Sequence, residues 1–219
     1  MYLKKIPALL QKQLPEVQWR VDTHDPVLYL TFDDGPTPEI TEWVLAQLAE
    51  CEAKATFFCI GKNVRQHPHI THQILDQGHS IGNHTEHHLN GWRTAHKIYL
   101  RDILQAQQTI QEYTGTRTRL YRPPYGRMSM PQIHDVKRSH HIVMMDVISG
   151  DFDLKRNASD CAQTVIRYAK PGSIVLFHDS VKVWSRLEGA LPKVLTHFAD
   201  QGYCFKALRH EWREELLLT

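Results

Sequence analysis

Absences set the first bounds on this chain. It has no Cys-x-x-Cys pair: Cys51, Cys59, Cys161 and Cys204 are scattered, which argues against a thiolate zinc site. Cys59 sits in an apolar run and reads as a small core residue, and a chain of 219 residues needs no disulfide to fold. No apolar run approaches the roughly 18 residues of a membrane span. The opening MYLKKIPALLQKQLPEVQWR is broken by Pro7 and Lys12, too soon for a signal-peptide core, and no A-x-A site follows. The expectation is a cytoplasmic protein with no integral membrane segment, its residues 1–26 an extension packed on the domain. Charge of one sign is lacking too. The 26 basic and 24 acidic residues are mixed along the chain, so the concentrated basic patch of a nucleic-acid binder is absent and no nucleic-acid partner is expected. There is no internal repeat, low-complexity tract or linker. Residues 1–219 therefore read as a single domain, with 207–219 a charged tail that includes Leu216, Leu217 and Leu218. Oligomeric state is unreadable.

Histidine is what the chain has in plenty. There are 15, clustered between His67 and His96, and imidazole is the commonest metal ligand, although most such residues simply face solvent.

Short apolar runs alternate with amphipathic stretches. Strands are expected at 27–32, 55–60, 80–83, 120–121, 142–145, 173–177 and 203–206. Thr37-Pro38-Glu39 looks like a helix start, with Thr37 as the cap, and Ile40, Trp43, Val44 and Leu48 line the face that follows. Further helices are expected over 63–76, ended by Gly78, and over 95–113, with Leu100, Ile103, Leu104, Gln107 and Ile110 inward. Others are expected at 129–139, 159–169 and 187–199. Strands alternating with helices imply parallel βα units, and about seven strands suffice for a barrel or an open doubly wound sheet.

TFDDG, HTEHH, RPPYG, SGDFD and FHD each follow a strand candidate. Parallel α/β folds build sites at the carboxyl ends of their strands, so these motifs converge if the strands do. Asp33 and Asp34 end the first strand. Successive side chains point opposite ways, so one can hold a metal while the other handles a proton; alone, they read more readily as a pair of solvated turn carboxylates before Gly35-Pro36. His84 and His88 are four apart, the spacing of two imidazoles on one helical face. With one aspartate they make three protein ligands and leave a fourth position for water, the arrangement of catalytic zinc. Arg122 carries the fork to hold a carboxylate, and the backbone N–H of Tyr125 is an oxyanion donor; otherwise RPPYG is a rigid surface turn. His178, just past a buried strand, suits general acid catalysis if a carboxylate orients it, and Asp151 is the choice; a histidine satisfied by backbone groups is the alternative.

Taken in order, TFDDG, HTxxH, RPPYG, an aspartate–aromatic pair and an apolar strand ending in His resemble the polysaccharide deacetylase family, with its NodB-homology domain (carbohydrate esterase family four). The likeness runs over roughly residues 27–206. It implies a distorted (β/α) barrel of seven or eight strands. It also implies Asp33 as base, Asp34, His84 and His88 as metal ligands with Thr85 between the histidines, and Arg122 holding Asp33. Tyr125 supports the oxyanion, Asp151 orients His178, His178 is the acid, and Leu176 walls the acetyl pocket. The implied reaction is metal-dependent removal of acetyl groups from an N-acetylated sugar or glycan. Zn(II) is the expected metal, with Co(II) and Ni(II) also suited to such ligands.

Departures lie in the fourth motif, usually D-x-x-D-W. Here it reads Ile148-Ser149-Gly150-Asp151-Phe152: the first acid is lost and Phe152 replaces tryptophan in the groove wall. Three rivals remain. A haloacid dehalogenase-type phosphatase needs DxD rather than adjacent acids. The same apparatus acting on an ester or cyclic amide is a second. A carbohydrate-binding relative without catalysis is the third, opposed by the presence of both a base and an acid.

Overall fold

The structure is a computed structural model and describes residues 3–209. In chain order the elements are α1 (Ala8–Gln11), β1 (Val27–Asp33), α2 (Ile40–Glu50), β2 (Thr56–Cys59), α3 (Gly61–Gln66), α4 (Pro68–Asp76) and β3 (Ser80–Asn83). There follow α5 (His96–Thr114), β4 (Leu120–Tyr121), α6 (Met130–Val136), β5 (His141–Ile142), β6 (Val147–Ile148), α7 (Ala158–Tyr168), β7 (Ile174–His178), α8 (Trp184–Asp200) and β8 (Cys204–Phe205). The ladders are parallel, in the order β5-β4-β3-β2-β1-β7-β6. The short β8 pairs with the start of β1. The result is a single α/β domain whose sheet curls into a distorted barrel, as expected. The helices are packed outside it.

Side-chain parity assigns the two faces. On β1, Leu28, Leu30 and Phe32 point to the helical layer and join Phe57, Cys59, Val175 and Phe177 in the main core. Thr31 and Asp33, of opposite parity, turn inward. The interior is filled by Phe58, Leu120, Val143, Met145, Ile174 and Leu176, with Leu208 among them. Strands buried on both faces are why the sequence shows continuous apolar runs here rather than alternation.

Among the described residues no ladder joins β5 to β6, so the barrel has a seam. The N-terminal segment covers it. Gln18 pairs with Val143 beside β5, Lys5 pairs with Val147 of β6, and Arg20 pairs with Ser173. Each edge thereby satisfies backbone groups that an open sheet would leave unpaired. Lys5 Nζ reaches the fully buried Asp146 at 2.5 Å, and the Ser173 hydroxyl donates to the same carboxylate at 3.1 Å.

Several expectations need correction. The cap of α2 is Glu39, whose side chain and Glu42 bond reciprocally to backbone N–H groups; the Thr37 backbone instead pairs with Thr41, its carbonyl accepting the Thr41 N–H and its N–H donating to the Thr41 hydroxyl. The helix expected over 63–76 is two, divided at His67 before Pro68. On α5, Leu104 is 54% exposed, whereas Asp102 and Thr109 are buried because they brace the HTEHH loop. The strand expected over 142–145 stops at Ile142, and β6 is additional. All four cysteines are free thiols. No helix among the described residues is long and apolar enough to cross a membrane. Residues 210–219, most of the expected charged tail, lie outside the described residues.

Candidate metal centre and active site

The five motifs meet at the carboxyl-terminal end of the barrel. Register places Asp33 of β1 directly beside His178 of β7, and Asn83, which ends β3, beside Tyr121 of β4. His84 and Arg122 are the next residues along those two chains.

Arg122 is completely buried and organises the interior. Its Nη1 donates to Asp33 Oδ1 and to Thr31 Oγ1, both at 2.7 Å. Nη2 donates to the Met144 carbonyl at 3.0 Å and Nε to the Val143 carbonyl at 3.2 Å. The guanidinium carbon lies 4.1 Å over the Phe58 ring, a cation–π contact in a water-poor site. The Arg122 carbonyl is 2.7 Å from His84 Nδ1. One residue thus touches both the aspartate beside the site and a candidate ligand.

Asp34, His84 and His88 offer three ligand atoms within 4.8 Å of one another. Asp34 Oδ1 is 3.0 Å from His88 Nε2 and 3.7 Å from His84 Nε2, yet accepts no hydrogen bond of acceptable geometry. A carbonyl facing His84 Nδ1 fixes the proton there and leaves the Nε2 lone pair turned toward Asp34, the usual arrangement behind a metal-bound imidazole. Burial pushes His84 down to about 4, so its imidazole is neutral and its lone pair free at neutral pH. Burial alone would raise Asp34, but the close approach of the His88 imidazole and the positive charge of His178, His84 and His88 outweigh it and hold the carboxyl well below the usual range. Donor set, tautomer and converging lone pairs fit a divalent ion. The two histidines do not share a helical face, however. They sit on a loop with left-handed backbone at Thr85 (φ 64°) and His88 (φ 56°).

On the other side, His178 Nδ1 lies 2.8 Å from Asp151 Oδ1, and the His178 N–H donates to Asp151 Oδ2 at 2.7 Å. Arg186 Nε donates to the Asp151 carbonyl. Burial would lower the imidazole, but the Asp151 charge and hydrogen bond, helped by Asp34 and Asp33, raise it to about 10. Leu176 lies two residues before His178 on the same inward face of β7, and Phe152 meets the His178 ring edge-on at 5.6 Å. Tyr125, with φ 61°, is 62% exposed and places its ring 4.7 Å from that of His88.

Besides Asp102 and Asp146, two more buried acids had no role assigned from sequence. Glu86, between the histidines, is clamped by Arg65 at 2.5 Å and by the Thr109 hydroxyl at 3.0 Å. Asp179 lies behind the Asp33–Asp34 turn, where the Thr41 hydroxyl donates to it at 2.6 Å. Burial drives Asp179 up to about 8; the Thr41 hydrogen bond opposes this and the Asp34 charge adds to it. A second acid directly after the strand-end histidine was the available signal, but Thr41 and Gly35 are remote in sequence. Gly35 makes room for Asp179: a Cβ there would stand 2.1 Å from its Oδ2. Gly35→Ala is expected to cost about 1–3 kcal/mol, as overpacking does, measured by denaturant unfolding. Adding Asp179→Ala should recover part of that loss; full stability in Gly35→Ala alone would refute the packing argument.

Comparison with known proteins shows the family of the chain. The polysaccharide deacetylase family model matches residues 20–142. A peptidoglycan-N-acetylglucosamine deacetylase of Bacillus cereus is 33% identical over 204 residues, covering 90% of this chain and 94% of that protein. The peptidoglycan-N-acetylmuramic acid deacetylase PdaC of Bacillus subtilis is 34% identical over 187 residues, 84% of this chain but 38% of PdaC. The crystal structure of the Bc1960 peptidoglycan N-acetylglucosamine deacetylase superposes with a TM-score of 0.85 at 27% identity, covering 93% of this chain and 95% of that one. The chain belongs to the polysaccharide deacetylase family.

Proposed function

We propose that the chain hydrolyses the N-acetyl group of an amino sugar within a glycan, using a divalent metal held by Asp34, His84 and His88. The observation that carries this reading is the pairing of Asp33, braced by Arg122, with His178, braced by Asp151, on adjacent strands beside those three ligands. When bound, such an ion polarises the acyl oxygen and makes water acidic enough to attack near neutrality; Zn(II) fits, as do Co(II) and Ni(II).

The chain's own residues supply the rest. Asp33 accepts a proton from the attacking water, and the backbone N–H of Tyr125 donates to the developing oxyanion. His178, held as a cation by Asp151, gives its proton to the leaving nitrogen as the carbon–nitrogen bond breaks, releasing acetate and a free amine. Leu176 and Phe152 form the apolar wall for the acetyl methyl. The test is acetate release from N-acetylglucosamine oligomers and from peptidoglycan strands. Turnover should disappear on chelation, return on adding Zn(II), and fall by about 10²-fold or more in Asp33→Asn. Activity indifferent to both chelator and Asp33→Asn would overturn the assignment.

A further inference from the structure

Beyond Phe152 the surface opens into a groove of about 910 Å³ that the deacetylation itself leaves unused. Three separate stretches of chain build it. The turn after β6 supplies Phe152, Lys155 and Arg156, one face of α7 supplies Asp160, Thr164 and Arg167 at helical spacing, and the N-terminal segment supplies Lys4. The strap across the barrel seam brings Lys4 there: its carbonyl accepts the Ile148 N–H at 2.9 Å, and its neighbour Lys5 pairs with Val147. One shared residue joins the groove to the site, since the Phe152 that lines it meets the His178 ring edge-on at 5.6 Å. Because α7 connects the parallel strands β6 and β7, it runs back from the rim. The groove therefore leads from Phe152 along α7 to Tyr168, over about 16 Å.

Its lining is cationic. Lys4, Lys155, Arg156 and Arg167 outnumber Asp153 and Asp160, and both acids are already engaged. Asp153 Oδ1 accepts the Lys155 N–H at 3.0 Å, and Asp160 Oδ2 accepts the Asn157 N–H at 3.2 Å in the cap of α7. Arg156 is pinned through Nη2 to the Asp160 carbonyl and the Thr164 hydroxyl, and the Arg167 guanidinium lies 5.4 Å over the Tyr168 ring. Among the described residues Lys4, Lys155 and Arg167 form no ion pair. A concave surface with surplus positive charge concentrates anions, and a guanidinium already held in place loses less freedom on gripping a carboxylate. Asp160, in the first turn of α7, repels a dianionic phosphate more strongly than a singly charged carboxylate.

Resting on the deacetylase reading above, we propose that this groove holds a carboxylate-bearing substituent of the glycan, carried on or beside the sugar being deacetylated, so that the preferred substrate is an anionic rather than a neutral glycan. The probes are N-acetylglucosamine tetramers carrying an ether-linked carboxyalkyl chain, their methyl esters, and counterparts ending in phosphate. In the wild-type chain KM should be about tenfold lower for the acid than for the methyl ester, the effect of a few exposed charge contacts. kcat should be the same for both, and the gap should narrow in about 1 M salt. Lys4→Gln, Lys155→Gln and Arg167→Gln combined should abolish the preference and leave turnover of the unsubstituted tetramer as it was. Calorimetric binding of acid and ester separates the two ideas. If the wild type releases no acetate from any probe, the deacetylase reading falls, while tighter binding of the acid, lost in the triple variant, still supports the groove. Equal affinity for acid and ester in the wild type, or a preference that survives in the triple variant, would overturn the proposal. A stronger preference for the phosphate would overturn the carboxylate as its ligand.

Discussion

His178→Ala is expected to lower kcat for acetate release by about 10²–10⁴-fold while leaving metal affinity unchanged. The separation follows from position. His178 stands outside the Asp34, His84 and His88 cluster and is tied to Asp151 through Nδ1, so its Nε2 is the nitrogen left to act. Metal content and calorimetric affinity check the second half; near-normal turnover would refute the acid role. Asp151→Asn tests how the acid is made. With Asp151 present the imidazolium persists up to about 10 despite burial. Without it burial prevails, the imidazole is neutral at pH 7, and the alkaline limb of the pH–rate profile should move below neutrality with partial recovery in acid. Stability follows the same sign. The folded value lies above the ordinary 6.5, so the His178–Asp151 pair stabilises fully below about 6.5, and that contribution is lost as pH rises through about 10. In Asp151→Asn this pH dependence should vanish.

The strands that carry the motifs were legible because they are buried on both faces and therefore read as unbroken apolar runs. The strand ends then located Asp33, Asp34, His84, Arg122 and His178 on one rim, and the structure brings them together. What escaped were features whose partners are remote along the chain. Val147–Ile148 is too short to show a period, and its neighbour Asp146 is intelligible only once Lys5, 141 positions away, is beside it. Leu104 obeyed the helical spacing yet faces solvent, because the face of α5 is set by Asp102 and Thr109 holding the HTEHH loop. The helical spacing of His84 and His88 did not imply a helix: two left-handed residues, Thr85 and His88, turn a loop so that the two rings converge. Glu86 and Asp179 were hidden for the same reason as Asp146, since Arg65, Thr109, Thr41 and Gly35 come from separate elements.

Arg122→Leu should be the most destructive single change to fold and site together. Asp33 is 4% exposed, and its carboxylate is paired at 2.7 Å with the Arg122 guanidinium. Removing one member of a buried pair leaves an uncompensated charge and costs about 3–5 kcal/mol, a large fraction of the roughly 5–15 kcal/mol by which domains are stable. The carbonyls of Val143 and Met144 and the hydroxyl of Thr31 lose donors in the same stroke. Arg122→Lys separates charge from shape. A lysine keeps the cation but has neither the planar fork nor enough donors to bridge β1 and the segment after β5. It should therefore fold at a smaller cost and still bind metal. Asp33 would be misplaced, and an error of about 1 Å in a reacting group costs on the order of 10²-fold in rate. Arg122→Leu combined with Asp33→Asn completes the cycle, since removing both charges should restore much of the stability lost in Arg122→Leu without restoring turnover. Denaturant unfolding and acetate release measured on the three variants decide the matter. If Arg122→Leu were as stable and as active as the wild type, Arg122 would be neither the brace of Asp33 nor the keystone of the barrel interior.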